Sequence, residues 1–163
     1  MVFTRSQLQR IQKVKKNLEV IPVVFHGPNK EGDFLFEITS NHREKCLWIF
    51  NDNANDHFTS KRGGGNACIR PFNKYGVHKK SPKSAGISTG DLGRGYTDLV
   101  SCKDHIDTCI QEIDELILTG NYTTLCYSCE SATSRKLGTG IFNVNDQVKD
   151  YITEKIIALG TLV

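Results

Sequence analysis

Two glycine-rich segments offer the clearest potential for chemistry in this 163-residue sequence. The first contains the consecutive glycines Gly63–Gly65, and the second is the segment Gly138–Phe142, with the sequence GTGIF. Because glycine has no Cβ atom, the main chain of such loops can approach a ligand closely and direct several N–H groups at an anion. The pair of loops therefore predicts a binding site for a phosphate-bearing ligand.

The position of each loop along the chain supports this interpretation. The polar segment Asn51-Asp52-Asn53 directly follows an apolar, strand-like run and precedes the first glycine loop. In open α/β sheets, ligands bind beyond the carboxyl ends of the strands, where amide side chains can hold hydroxyl groups or orient a water molecule. A flexible hairpin at 63–65, and an ordinary turn with Phe142 in the core, are the alternative interpretations.

Other signals of catalysis or metal binding are weak. The loop 88–95 lacks the Gly-Lys-Ser/Thr of a Walker A motif, and no G-x-G-x-x-G opens a helix after a first strand. His57 is the one histidine in the candidate region, and a lone histidine in a polar loop is expected to be exposed. Cys126 and Cys129 form a close pair without the further ligands that zinc requires. We expect buried cysteine thiols, no metal and no cofactor.

Predicted helices and strands alternate along the chain. An amphipathic helix over 4–18 starts at a capping box formed by Thr4 and Gln7. Two more helices are predicted, one over about 102–118 and one after a cap at Asn145 or Asp146, and a short helix starts at Asn66. Strands are predicted at 20–25, 34–38, 46–50, 84–89 and 123–127. This alternation predicts a three-layer α/β/α sandwich around a mixed central sheet.

Length and composition indicate one soluble domain over residues 1–163, with the first helix as an extension. The chain is 38% hydrophobic and 24% charged, with a net charge of +3, which is ordinary for a globular protein. No apolar run approaches the roughly 20 residues of a membrane-spanning helix, and the basic N-terminus lacks the apolar stretch of a secretory signal. We therefore expect an intracellular protein, cytoplasmic or nuclear, that does not bind membranes.

The order of the polar and glycine-rich segments resembles the macrodomain family, whose members bind ADP-ribose and its derivatives. Members of that family carry a G-D-I-T segment, an N-A-A-N segment after a strand, a Gly-Gly-Gly loop that opens a helix, and a late loop of the type S-T-G-I-F/Y-G. The corresponding segments here are Phe36–Thr39, Asn51–Asn53, Gly63–Ala67 and Gly138–Asn143. The resemblance covers about residues 34–160 and is most specific in the late loop.

The resemblance implies a role for each matching residue. Glu37 would meet the adenine amino group, Asn51 and Asn53 would meet the distal ribose, and the main chain of both glycine loops would hold the pyrophosphate. In a hydrolytic member, Asn53 would also orient a water molecule or the distal hydroxyl. The implied ligand-binding residues are Glu37, Asn51, Asn53, Gly63, Gly64, Gly65, Asn66, Gly138, Thr139, Gly140, Ile141 and Phe142.

The chain departs from the family pattern at three places. Glu37 stands where the family has aspartate, the insertion 54–62 is longer than usual, and the V-I-H-type strand before the central helix is missing or altered. The resemblance therefore implies a divergent member.

We expect the protein to bind ADP-ribose or a related nucleotide metabolite, either free or carried on an ADP-ribosylated protein. Hydrolysis of an ADP-ribosyl linkage and binding without catalysis both remain open. One alternative is a nucleic-acid-binding module that uses the basic segment 70–83, in which Phe72 and Tyr75 interleave with basic residues. The other is a protein-interaction domain with a decayed ligand site, whose partner surface would be the insertion 54–62.

Overall fold

A mixed β-sheet forms the centre of the computed structural model of the chain, which describes residues 2–76, 81–140 and 142–163. Its seven strands are β1 (Glu19–Val24), β2 (Cys46–Asn53), β3 (Ser84–Asp91), β4 (Arg94–Gly95), β5 (Thr124–Ser131), β6 (Ser134–Leu137) and β7 (Thr161–Leu162). The spatial order is β4-β3-β2-β5-β1-β7, and β6 pairs with β5. Strands β3, β2, β5, β1 and β7 run parallel to one another, while β4 is antiparallel to β3 and β6 is antiparallel to β5.

Four α-helices and one 3-10 segment accompany the sheet. They are α1 (Arg5–Asn17), α2 (Phe34–Ser40), the 3-10 segment Gly65–Phe72, α3 (Leu99–Thr119) and α4 (Asp146–Ile157). In the part of the chain that the structure describes, no helix has the length and apolar character needed to cross a membrane.

Helix caps read from the sequence are confirmed at two helices. The Thr4 N–H donates to Gln7 Oε1 at 2.8 Å and the Gln7 N–H donates to Thr4 Oγ1 at 3.2 Å, which completes the predicted capping box. At α4, Asn145 Oδ1 accepts from the Gln147 N–H at 2.8 Å. These short-range contacts fix where the first and last helices begin.

Side chains on β2 alternate between two apolar cores. Leu47 and Ile49 belong to a core shared with α3 and α4, whereas Trp48 and Phe50 belong to a second core shared with α2 and the 3-10 segment. This alternation is the period of two expected for a strand that is buried on both faces. The structure therefore confirms a mixed α/β architecture.

The predicted strand at 34–38 is wrong, because these residues form helix α2. Phe34, Glu37 and Ile38 are its buried residues, and their i, i+3, i+4 spacing is that of one helix face. The Thr39 hydroxyl donates to the Leu35 carbonyl at 2.8 Å and helps to close the last turn. A five-residue apolar run is too short for its periodicity to separate a strand from a helix.

The predicted strand at 123–127 is too short. Strand β5 continues to Ser131 and turns back through β6, so that the late glycine loop follows the β5–β6 hairpin rather than β5 itself. The Gly138 N–H donates to the Ser128 carbonyl at 2.9 Å. The hairpin thereby returns the chain to the end of the sheet at which β2 also ends.

Candidate functional site

Asn51 joins the two glycine-rich loops at the carboxyl end of β2. Its main-chain N–H donates to Asn66 Oδ1 at 2.9 Å, and its side-chain Nδ2 donates to the Gly138 carbonyl at 2.7 Å. Asn66 lies in the 3-10 segment after the first loop, and Gly138 opens the second loop. The structure therefore brings together two loops that are more than 70 residues apart in the sequence.

Three of the predicted site glycines face open space. A Cβ atom added to Gly64, Gly65 or Gly140 would meet nothing within 4 Å. Gly65 and Gly140 also adopt left-handed backbone conformations, with φ of 56° and 58°, which side chains other than glycine rarely adopt. The main chain at these three positions is unobstructed by neighbouring side chains.

Two other glycines serve the packing of the loops. A Cβ atom at Gly63 would lie 2.7 Å from Arg70 Nη1, and one at Gly138 would lie 2.9 Å from the Cys129 carbonyl oxygen. Both contacts are too close for a side chain. Gly63 and Gly138 therefore hold the loops against the sheet and the 3-10 segment.

The remaining predicted residues at this edge take different positions. Asn53 Oδ1 accepts from the Asn55 N–H at 3.1 Å, so the side chain caps its own turn. The Phe142 N–H donates to the Thr139 carbonyl at 3.2 Å, and Phe142 is 45% exposed. The alternative in which Phe142 belongs to the core is wrong. Ile141 lies outside the described residues.

Glu37 does not lie with the glycine loops. It lies in the middle of the seven-residue helix α2 and lines a cleft together with Cys46, Lys83 and Asn121. Those three residues mark the beginnings of β2, β3 and β5, which is the opposite edge of the sheet. The structure therefore does not bring Glu37 together with the glycine loops, because α2 is a helix that carries Glu37 away from that edge.

The dipeptide Gly32-Asp33 directly precedes helix α2, and the sequence patterns did not single it out. A Cβ atom at Gly32 would lie 2.4 Å from the Val24 carbonyl oxygen, which places this turn at the carboxyl end of β1. Asp33 is the N-cap residue of α2. Burial raises the pKa of the nearby Cys68 thiol and the Asp33 carboxylate adds to the shift, so Asp33 lies near the 3-10 segment. Asp33 therefore lies near the carboxyl edge of the sheet, where Glu37 does not lie.

A buried ion network lies directly behind the site, and the sequence did not reveal it. Asp52 Oδ1 accepts from Arg70 Nε at 3.0 Å and from Arg70 Nη2 at 2.6 Å, while Asp52 Oδ2 lies 2.9 Å from His57 Nδ1. The other ring nitrogen, His57 Nε2, lies 2.7 Å from Glu112 Oε1 on α3. The prediction that His57 is exposed is wrong, because only 7% of it is exposed.

The network fixes the charge of His57. Burial alone would lower the pKa of His57, but its hydrogen bonds with Asp52, Cys109 and Glu112 outweigh that effect and raise the pKa from 6.5 to about 12. Tyr75 and Lys74 complete the environment of Glu112, with the Tyr75 hydroxyl 3.0 Å from Oε2 and Lys74 Nζ 3.4 Å from it. At neutral pH His57 is therefore an imidazolium that bridges two carboxylates.

Gly86 makes room for this network, which leads to a testable prediction. A Cβ atom at Gly86 would lie 2.2 Å from Asp52 Oδ2, and Asp52 cannot move away without losing Arg70 and His57. We expect Gly86→Ala to destabilise the protein by about 1–3 kcal/mol, as overpacking of a core does. Gly64→Ala is the control, since Gly64 has a φ of −82° and open space around it. Urea unfolding of both variants tests the prediction, and equal stability of the two would contradict it.

The segment Gly86–Gly90 (GISTG) has the G-x-S-x-G sequence pattern of a nucleophile elbow. Ser88, however, lies inside strand β3 and is only 1% exposed. Its hydroxyl is 2.6 Å from the Tyr96 hydroxyl, rather than beside a histidine at a strand-to-helix turn. Ser88 is therefore a structural residue.

All six cysteines are free thiols, and five of them are buried. Cys46 and Cys126 lie in neighbouring strands with their sulfur atoms 3.3 Å apart, and Cys102 and Cys109 share the buried face of α3, as the sequence predicts. Within the described ranges, no group of three or more His, Cys, Asp or Glu side chains is arranged to hold a metal ion.

Comparisons with known proteins add no family assignment. No protein-family model, no curated protein and no solved structure matches this chain. Function is therefore inferred from the geometry of the site.

Proposed function

We propose that this protein binds ADP-ribose or a related nucleotide metabolite at the carboxyl edge of its sheet. The observation that carries the proposal is the pair of hydrogen bonds by which Asn51 holds Asn66 and Gly138. These bonds hold the loop that contains Gly64 and Gly65 beside the loop that contains Gly140, and an added Cβ atom at any of the three glycines would meet open space. Main-chain N–H groups of the two loops that converged in this space would suit a diphosphate.

The other parts of the ligand would meet side chains around the two loops. Asp33, half-buried at the start of α2, would accept the adenine amino group in place of Glu37. Asn53 would meet the distal ribose, and the exposed ring of Phe142 would pack against that sugar. Asn51 would act as a positioning residue, because its side-chain nitrogen is already bonded to the second loop.

The fold supports the same proposal. Helices α3 and α4 pack against one core and α2 with the 3-10 segment against the other, as a three-layer sandwich of macrodomain type would require. Four central parallel strands end at the same edge, which is where ligands bind in sheets of this kind.

We propose binding rather than hydrolysis as the primary activity. The acid–base groups nearest the site are committed elsewhere, since Asp52 is paired with both Arg70 and His57. A histidine with a pKa raised to about 12 remains protonated at neutral pH and cannot accept a proton. Release of ADP-ribose from an ADP-ribosylated protein, abolished by Asn53→Ala, is the result that would instead assign a hydrolase.

The nucleic-acid alternative loses one of its basic residues to the interior. Arg70 is 2% exposed and paired with Asp52, so it is not free to contact a phosphate. Tyr75 is half-buried, and its hydroxyl is bonded to Glu112. His78, Lys79 and Lys80 of the same segment lie outside the described residues.

The decisive experiment is calorimetry with ADP-ribose, NAD, ATP, cyclic dinucleotides and short RNA on the wild-type protein and on glycine variants. We expect Gly64→Glu and Gly140→Glu each to weaken ADP-ribose binding at least about 100-fold, which corresponds to about 2.7 kcal/mol. The reason is that each added carboxylate would fill the space of the diphosphate and repel it. Thermal unfolding should show that both variants fold.

Gly93→Glu is the matched control. Gly93 also has a left-handed backbone, with φ of 76°, and open space around it, but it lies in the turn between β3 and β4. This variant should bind ADP-ribose as the wild type does. Normal binding by both Gly64→Glu and Gly140→Glu, or failure of the wild type to bind any nucleotide in the panel, contradicts the proposed function.

A further inference from the structure

A second cleft opens at the amino edge of the sheet, on the opposite side from the glycine loops. It has a volume of about 250 Å³, slightly below the roughly 300–1,000 Å³ typical of drug-sized ligand pockets. The residues that matter for its chemistry are Glu37, Arg43, Lys45, Trp48, Lys83 and Asn121. A site of this size suits a small metabolite.

Glu37 gives the cleft an unsatisfied acceptor. The residue is only 3% exposed, and its Oε1 atom is buried with no hydrogen-bond partner among the described residues. Because a buried carboxyl oxygen without a donor is costly, native proteins rarely keep one without a reason. Glu37 lines the cleft, and a ligand with an N–H donor would satisfy Oε1 once the side chain turns toward that ligand.

The rim of the cleft carries the opposite charge. Arg43 and Lys45 lie in the exposed turn between α2 and β2, and Lys83 lies immediately before β3. Arg43 and Glu37 both act on the pKa of Cys46, which is raised mainly by its hydrogen bond with Cys126, with Arg43 lowering it and Glu37 raising it. An acidic floor and a basic rim therefore lie within one small cleft.

We propose that this cleft binds a small zwitterion, such as a free amino acid. The ammonium group of the ligand would donate to Glu37 at the floor, and its carboxylate would lie between the basic side chains of the rim. The buried ring of Trp48 would provide an apolar wall for the carbon atoms in between. This site is independent of the nucleotide site, which lies at the other edge of the sheet.

The test is a titration of the full chain with the twenty common amino acids, ethylamine and acetate. Binding is monitored by NMR and by thermal shift. At least one amino acid should bind, and it should bind more tightly than ethylamine, which lacks the acid, or acetate, which lacks the amine. If no amino acid binds at millimolar concentration, or if acetate binds as well as the best amino acid, the proposal is overturned.

Substitutions of residues that line the cleft test whether the amino acid binds there. Glu37→Gln keeps the shape of the side chain and should weaken amino-acid binding at least about tenfold, whereas Glu44→Gln, at an exposed position on the neighbouring turn, should leave it unchanged. Lys83→Gln is a second test, because it removes a positive charge that would contact the carboxylate of the ligand. Unchanged binding in both Glu37→Gln and Lys83→Gln overturns the proposal. Gly140→Glu should leave amino-acid binding intact, which separates this site from the nucleotide site.

Discussion

Replacing Arg70 with methionine is expected to lower the free energy of unfolding by about 3–5 kcal/mol, the usual cost of removing one partner from a buried ion pair. Arg70 and Asp52 are 2% and 4% exposed, so the substitution leaves the Asp52 carboxylate buried with too few donors. Arg70 Nη1 also donates to the Lys61 carbonyl at 2.8 Å, and that bond is lost as well. Equilibrium unfolding in urea measures the effect.

Two further variants identify the cause of the loss. Arg62→Met removes an exposed arginine from the loop that precedes the 3-10 segment. It should change the free energy of unfolding by no more than about 0.5 kcal/mol. In an Asp52→Asn background, Arg70→Met should cost less than it does in the wild type, because the carboxylate that needs Arg70 is absent. A cost for Arg70→Met as small as that for Arg62→Met would contradict a structural role for the pair.

The stability of the protein is expected to fall as the pH is raised above 6.5. The folded state raises the pKa of His57 from 6.5 to about 12. The contribution of protonated His57 to the stability of the fold is therefore complete below pH 6.5 and is lost as the pH rises toward 12. Over that range the expected slope is roughly 1 kcal/mol per pH unit. Urea unfolding at pH 6.5, 7.5 and 8.5 measures it.

The contribution of Glu112 to stability is lost at low pH, whereas that of His57 is lost at high pH. Burial raises the pKa of Glu112, but the hydrogen bond and charge of His57, the Tyr75 hydroxyl and the Lys74 ammonium together outweigh it, so that the net shift is downward from 4.5. Its contribution to stability is therefore present above pH 4.5 and is lost as the pH falls through the folded pKa. The network as a whole stabilises the fold best between about pH 4.5 and 6.5.

Matched histidine variants assign the alkaline slope. His57→Gln removes the group and should flatten the dependence on pH, although it also lowers stability at every pH. His105→Gln, at an exposed position on α3, should retain the wild-type slope. If His57→Gln and wild type lose stability equally between pH 6.5 and 8.5, the imidazolium does not contribute as we infer.

The ion network is structurally connected to the edge of the sheet at which we propose the nucleotide site. Asp52 lies between Asn51 and Asn53, and its side chain is held by Arg70 from the 3-10 segment and by His57 from the insertion 54–62. The insertion is therefore anchored inward through His57, while Phe58 beside it is 66% exposed. This anchoring fixes the end of β2, and with it the asparagines that we assign to the site.

Much of the architecture could be predicted because it depends on contacts that are short in sequence. The cap at Thr4, the apolar stripe of α3 and the end of that helix at Gly120 all follow from residues three or four positions apart. The two glycine loops were also visible, since left-handed or closely packed turns require glycine whatever the fold. Helix α2 was predicted as a strand because the run 34–38, with four apolar residues in five, is too short to separate the two periods.

The tertiary structure decided which chemical groups meet. Asn51 joins Asn66 and Gly138 across 15 and 87 positions of sequence, and His57 meets Glu112 across 55. Sequence patterns report the spacing along one element, whereas these contacts depend on the order of strands in the sheet and on the packing of α3 against β3. For that reason the sequence by itself determined the alternating elements and the glycine loops. Only the folded chain showed that His57 is a buried cation and that Glu37 lies in a separate cleft.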